Sequence, residues 1–154
     1  MAEWKTEATQ SSFDHTKPMD DMMERKFDPI KDRCGEIVEA IMSSPDIPND
    51  EGLQFNIRLS VEEAVENIVQ YAYSEGKGWI IVKTEISPEK RLVITLRDEG
   101  VPFNPLTKDD PDITSSVEER QIGGLGIFLC KKLMDKIIYS FENQCNILIM
   151  EKQL

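Results

Sequence analysis

Two pairs of strand-like runs, each joined with no helix between them, constrain what this chain can fold into more than any other feature. Residues 79–86 (WIIVKTEI) and 91–98 (RLVITLRD) flank the turn segment SPEK, and residues 136–142 (KIIYSFE) and 146–153 (NILIMEKQ) repeat the arrangement near the end. Runs rich in β-branched residues and separated by turn formers read as β-hairpins. A parallel sheet would need a helical crossover between successive strands, and the order here is roughly α-α-β-β-loop-α-β-β. Residues 22–27 (MMERKF) add a short strand at the front. The pattern predicts an α+β fold: a two-layer sandwich in which a mixed, mostly antiparallel sheet carries helices on one face.

Three helices fill the rest. In DPIKDRCGEIVEAIMSS (28–44), Asp28 is the expected N-cap and Pro29 the first helical residue, with Ile30, Cys34, Ile37, Val38 and Ile41 as the apolar stripe. A second helix is expected from about Glu51 to Tyr73, with Val61, Val65, Ile68 and Ala72 facing the core. The polar stretch 100–121 contains three prolines and no period, a length that in a compact domain points to function or disorder. A helix then opens on IGGLG (122–126) and runs to about Asp135, with Ile122, Leu125, Leu129, Leu133 and Ile137 as its core stripe.

The 154 residues, 40% of them hydrophobic, suffice for one domain with a real core. Residues 1–21 are polar and aperiodic and read as a tail, either disordered or adding a strand, which leaves 22–154 as the folded domain. With 18 basic against 29 acidic residues the net charge is −11, which argues against a nucleic-acid backbone or an anionic membrane as partner. Such a chain can still take a nucleotide where Mg²⁺ and backbone N–H groups neutralise the phosphates. Cys34, Cys130 and Cys145 are widely spaced and His15 is the only histidine, which argues against a zinc site and a histidine-based triad. The thiols read as buried hydrophobes of a reducing compartment. The start lacks the apolar core of a signal peptide, and no apolar run approaches the ~18 residues that span a bilayer. The expectation is a soluble, cytoplasmic protein.

Three segments could carry chemistry. The glycines of IGGLG sit at a helix N-terminus, where free N–H groups and the helix dipole favour an anion. Neither a Walker A motif nor a Rossmann fingerprint is present, and an ordinary loop-to-helix junction accounts for these glycines equally well. On the second helix, Glu63 and Asn67 are four residues apart and share a face well away from the apolar stripe. A solvated face is the simple reading. The chemical one takes the Asn67 amide oxygen as a hard ligand for Mg²⁺ and the Glu63 carboxylate as a base toward an attacking hydroxyl. Asp98 falls where the apolar alternation ends, before Gly100; it could accept from an exocyclic amino group, or mark a plain Asp-x-Gly turn.

In order, an E-A-V-x-N helix, a D-x-G-x-P-F turn, a polar loop and a G-G-x-G helix resemble the GHKL ATPases with their Bergerat ATP-binding fold, over roughly residues 22–152. More narrowly the chain resembles the small anti-sigma-factor serine/threonine kinases. The resemblance implies that Asn67 holds the Mg²⁺ bridging the ATP phosphates and that Glu63 is the general base. It implies that Asp98 bonds the adenine amino group with Gly100 turning beside the ring, and that Gly123, Gly124 and Gly126 bind the phosphates. Residues from about 104 to 122 would be the ATP lid. Pro102 stands where many GHKL proteins have a second glycine, a form similar to the small-kinase branch. Gln70 stands where close relatives often carry histidine.

The function so implied is transfer of the γ-phosphate of ATP to a hydroxyl on a STAS-domain anti-sigma-factor antagonist. A sigma factor or another regulatory target would compete for the same domain, and the chain would be a homodimer. The alternative is an ATP-gated binding module that sequesters a partner without significant kinase activity; Glu63 favours the kinase. The catalytic half of a histidine kinase is disfavoured, since no helix carries a phosphoacceptor histidine and His15 lies in the polar tail.

Overall fold

The computed structural model describes residues 23–75, 77–107 and 125–154. The elements are β1 (Met23–Phe27), α1 (Cys34–Met42), α2 (Glu51–Tyr71), β2 (Ile80–Ile86), β3 (Arg91–Asp98), a 3₁₀ turn (Pro105–Thr107), α3 (Leu125–Leu133), β4 (Lys136–Glu142) and β5 (Cys145–Gln153). The five strands form one sheet in the order β1-β2-β3-β5-β4, with every pairing among them antiparallel. The expected tail, residues 1–21 with His15, lies outside the described residues.

Strand alternation sorts the sheet into a covered face and an open one. Val82, Leu96 and Leu148 form one register row, and Thr84, Ile94 and Met150 the next. All six are buried, and the apolar ones join Ile37 and Ile41 of α1 and Ile57, Val61, Val65 and Ile68 of α2 in one core. Each fully buried aliphatic side chain of this kind contributes about 1.5–3 kcal/mol. The hydroxyl of Thr84 is satisfied by the loop after α1: it bonds Ser44 Oγ (2.6 Å) and donates to Asp46 Oδ2 (2.7 Å).

The turns follow the hairpin logic. Lys90 is left-handed (φ 57°) between β2 and β3, and Ser87 N–H donates to Arg91 O across the turn (2.9 Å). Between β4 and β5, Asn143 (φ 51°) and Gln144 (φ 62°) are both left-handed, as a tight two-residue loop with the twist of its strands requires. On α2, Asp50 is the N-cap, its Oδ1 accepting from Leu53 N–H at 2.8 Å.

Two helical expectations need correction. Helix α1 begins at Cys34 rather than at Pro29, and its N-cap is Arg33 without a side-chain cap bond. Asp28 is no cap. Ile30 is wholly buried and its N–H donates to Gly78 O (3.0 Å), while Asp32 is left-handed at φ 59°. The core claims Ile30 before a helix can start, and Asp32 interrupts the helical path. Helix α3 buries Ile127 and Cys130, with Met134 just beyond its end, rather than the Leu125, Leu129, Leu133 stripe; Leu125 is 44% exposed. The Cys130 thiol donates to Ser60 O of α2 (3.3 Å), so this side of α3 faces α2. At the far end Lys152 Nζ donates to Leu133 O (2.7 Å), satisfying a terminal helix carbonyl. Among the described residues, no helix is long and apolar enough to cross a membrane.

Candidate functional site

Strand β3 delivers Asp98 to the end of the covered face. Its register partners there are Ile80 on β2 and Asn146 on β5. Asp98 is only 3% exposed, and its Oδ1 accepts from Gly100 N–H (2.9 Å) and from Asn146 Nδ2 (2.9 Å). Oδ2 takes no hydrogen bond among the described residues. Burial pushes the carboxyl above its ordinary value, and the bonds from Asn146 and Gly100 oppose that shift.

The turn after Asp98 is packed against the end of α2. A Cβ on Gly100 would collide with the Ala72 carbonyl, and Val101 N–H donates to that same oxygen at 2.8 Å. Tyr73 braces the turn from the other side, its hydroxyl donating to Trp79 O (2.7 Å) and accepting from Glu99 N–H (2.8 Å). Gly100 is therefore present because backbone must meet backbone.

Around Asp98 lies a hollow of about 390 Å³, including its open mouth, walled by Ile68, Ala72, Val101, Pro105, Leu148 and other apolar groups. A second hollow lies between α2 and the start of α3, lined by Glu63, Glu66, Asn67, Gln70, Tyr71, Leu125, Gly126 and Ile127. Asn67 and Tyr71 line both. Glu63 and Asn67 are thus half-buried by α3 rather than on a solvated face. The Glu63 carboxylate lies at the start of α3, where a Cβ on Gly126 would run into its Oε2. Burial first, then the charges of Glu66 and Glu62, push the Glu63 carboxyl above its ordinary value. Gln70 Nε2 donates to Glu66 Oε1 (3.1 Å). Lys131 and Lys132 lie in the last turn of α3, away from this hollow.

Of the expected site residues, Glu63, Asn67, Asp98 and Gly126 gather along one cleft, while Gly100 lies behind it, packed against Ala72. Gly123 and Gly124 lie outside the described residues, as does the expected lid beyond Thr107. Asn146 and Tyr139 complete the closed end and were not foreseen, because their place depends on pairing with a strand far away in sequence. Chemically, a largely apolar hollow with one carboxylate oxygen unbonded among the described residues suits a base bearing an amino group. The neighbouring hollow offers helix N-terminal amides beside carboxylates, which suits an anion accompanied by a cation.

Comparison with known proteins agrees with this layout. Residues 33–152 match the histidine kinase-like ATPase domain family. The chain is 41% identical over 86 residues to the serine-protein kinase RsbW of Bacillus mycoides (strain KBAB4), covering 53% of each chain. It is 40% identical over 86 residues to the protein of that name from Bacillus cereus (strain AH820), again covering 53% of each. The match thus spans about half the length of these relatives. Among solved structures, the histidine kinase domain from the Erythrobacter litoralis EL346 blue-light activated histidine kinase is similar in fold, with TM-score 0.50 and 18% identity over 82% of this chain and 61% of that one. The whole EL346 kinase aligns with TM-score 0.52 and 17% identity over 79% of this chain and 40% of that one. With the family match spanning most of the chain and the sheet, helices and cleft arranged accordingly, this protein belongs to the histidine kinase-like ATPase domain family.

Proposed function

We propose that the chain binds ATP with Mg²⁺ in this cleft and is a serine/threonine-protein kinase of the anti-sigma partner-switch kind, phosphorylating a STAS-domain antagonist. One observation carries the reading: Asn67 lines both hollows, so one ligand reaching from Asp98 to Gly126 must pass its amide. The residues present fit such a ligand. Asp98 Oδ2 has no protein partner among those described and lies where an adenine amino group can donate to it. Asn67 and Glu63 are hard oxygen donors suited to Mg²⁺ and its surroundings, and Gly126 lets the start of α3 lie against the Glu63 carboxylate, which a Cβ would strike. The relatives named serine-protein kinase support the same reading.

The roles divide along the cleft. Asp98 selects the base, Gly100 lets the turn lie close to it, and Asn67 holds the metal. Gly126, with Gly123 and Gly124, admits the phosphates to main-chain amides. Bound Mg²⁺ neutralises phosphate charge, which phosphoryl transfer needs more than covalent help from the protein. A Glu63 oxygen takes the proton of the attacking hydroxyl, and the upward shift of its pKa makes it a stronger base than an ordinary carboxylate. A base acts only when ionised, so transfer is lost as pH falls through the raised Glu63 value.

Incubation with [γ-³²P]ATP, Mg²⁺ and a candidate STAS-domain protein tests the proposal. Label is expected on a serine or threonine of that protein, and Glu63→Gln should lower the rate roughly 10²–10⁴-fold while ATP still binds. No transfer, or equal transfer by Glu63→Gln, sinks the kinase; ATP binding without transfer leaves the ATP-gated module.

A further inference from the structure

Asn146 opens the buried end of β5 with all its polar capacity committed. Nδ2 donates to Asp98 Oδ1 (2.9 Å) and approaches the carbonyls of Gly100 (3.3 Å) and Val101 (3.2 Å). Oδ1 accepts from the Tyr139 hydroxyl (2.6 Å) and from Phe103 N–H (3.2 Å). The amide can sit only one way round, since three acceptors face its nitrogen and two donors face its oxygen. Its polar atoms are all bonded within the protein, although the residue lines the hollow. Asn146 is 7% exposed, and its side chain spans both ends of the turn that carries the base-reading carboxylate.

We propose that Asn146, locked by Tyr139, is the positioning residue of Asp98: it holds one carboxylate oxygen inside the protein so that the other alone faces the cleft and reads the amino group of the base. The proposal rests on the cleft being a nucleotide site. A carboxylic acid protonated on the cleft side would present a donor to the base, and a carboxylate free to rotate would lose its aim at the amino group. One other restraint acts on that oxygen, the Gly100 N–H, and no other side chain does so among the described residues. Ile80 flanks Asp98 on β2, Gly100 N–H supplies one bond, Tyr73 and Tyr139 are neutral phenols whose own pKa values are raised by burial, and Glu99 turns away to accept from Trp79 Nε1 (3.2 Å).

Asn146→Asp is the sharpest probe, because it keeps size and the acceptor for Tyr139 and Phe103 while replacing the one amino group that faces Asp98 and, at longer range, the carbonyls of Gly100 and Val101. Two carboxylates sharing that contact repel until a proton enters between them, and the pair then titrates at raised pH values. A protonated aspartic acid at 146 donates to Asp98 Oδ1 as the amide does. ATP affinity is measured for variant and wild type from pH 8 to 5.5 and expressed as their ratio, so that titration of the ligand cancels. The variant should bind roughly ten-fold more weakly at pH 8, the loss of about one charged hydrogen bond, and recover toward the wild-type value as pH falls. Asn146→Leu, which cannot regain a donor, should not recover. A ratio near one throughout, or a loss that acidification leaves unchanged, overturns the positioning role. Should Asn146→Asp not fold, Tyr139→Phe decides: ATP affinity should fall about three-fold with loss of the bond that locks the amide, and unchanged affinity overturns the proposal. A wild-type chain that binds no ATP overturns the nucleotide reading and this one together, whereas a wild-type chain that binds ATP beside an unaffected Asn146→Asp overturns only this one.

Discussion

Asp98 is a charged group in a place that disfavours charge. Its Oδ1 is fixed between two N–H donors, Gly100 N–H and Asn146 Nδ2. In Asp98→Asn those same donors would hold the amide oxygen, turning the NH₂ toward the cleft and setting donor against donor at the base. ATP should bind about 10–100-fold more weakly by calorimetry, with unchanged affinity counting against Asp98 as the base reader. The fold should respond the other way. Because the folded carboxyl is raised above its unfolded value, its stabilising contribution is lost as pH rises through the folded pKa. At pH 7 the ionised group therefore works against the fold. Apo Asp98→Asn should melt at or above the wild-type temperature at pH 7, and any advantage should shrink as pH falls through the Asp98 folded pKa. A clear loss of stability at pH 7 would contradict the assigned desolvation.

Among the elements, the two hairpins are the most legible in the sequence, because their alternation and their turns agree. The loop Asn143–Gln144 makes this testable, since both residues are left-handed and neither is glycine. Gln144→Gly removes the Cβ penalty at the second position of a type I′ turn and should stabilise the chain by about 0.5–1 kcal/mol in denaturant unfolding. A destabilised variant would mean that the Gln144 side chain does more than turn. The helices are less legible for identifiable reasons. Asp28-Pro29 carries the signature of a helix start, yet Ile30 is drawn into the core and the helix waits until Cys34. Helix α3 is apolar around much of its circumference, so period alone does not choose between the Leu125 stripe and the Ile127, Cys130, Met134 face that packs. Glu63, Asn67 and Asp98 are legible because ordered local motifs surround them. Asn146 is not, since an asparagine beginning a strand has no local signature and acquires its place only from register with Asp98, 48 residues earlier.

At the scale of the whole molecule, one sheet face carries the core and the cleft forms where three elements end or begin: the last turns of α2, the tip of β3 and the start of α3. The charged side chains lining the α2–α3 hollow, among the described residues, are the carboxylates Glu63 and Glu66, in a chain of net charge −11. Strong binding of a polyphosphate there must draw on a metal and on main-chain amides, which ties the ligand to the position of α3. That position rests on few apolar side chains, Ile127 and Cys130 chief among them, against α2.

The Cys130 thiol is 1% exposed, and burial together with the nearby Glu63 charge pushes its pKa up to about 12. A sealed, protonated sulfur cannot react with an alkylating reagent until the helix bearing it lifts away. Its labelling rate, followed peptide by peptide in a mass spectrometer, is therefore a stopwatch on that lifting. Saturating Mg-ATP should slow the stopwatch several-fold if the ligand clamps α3 to α2, and an unaltered rate would show that the two helices part independently of what lies between them.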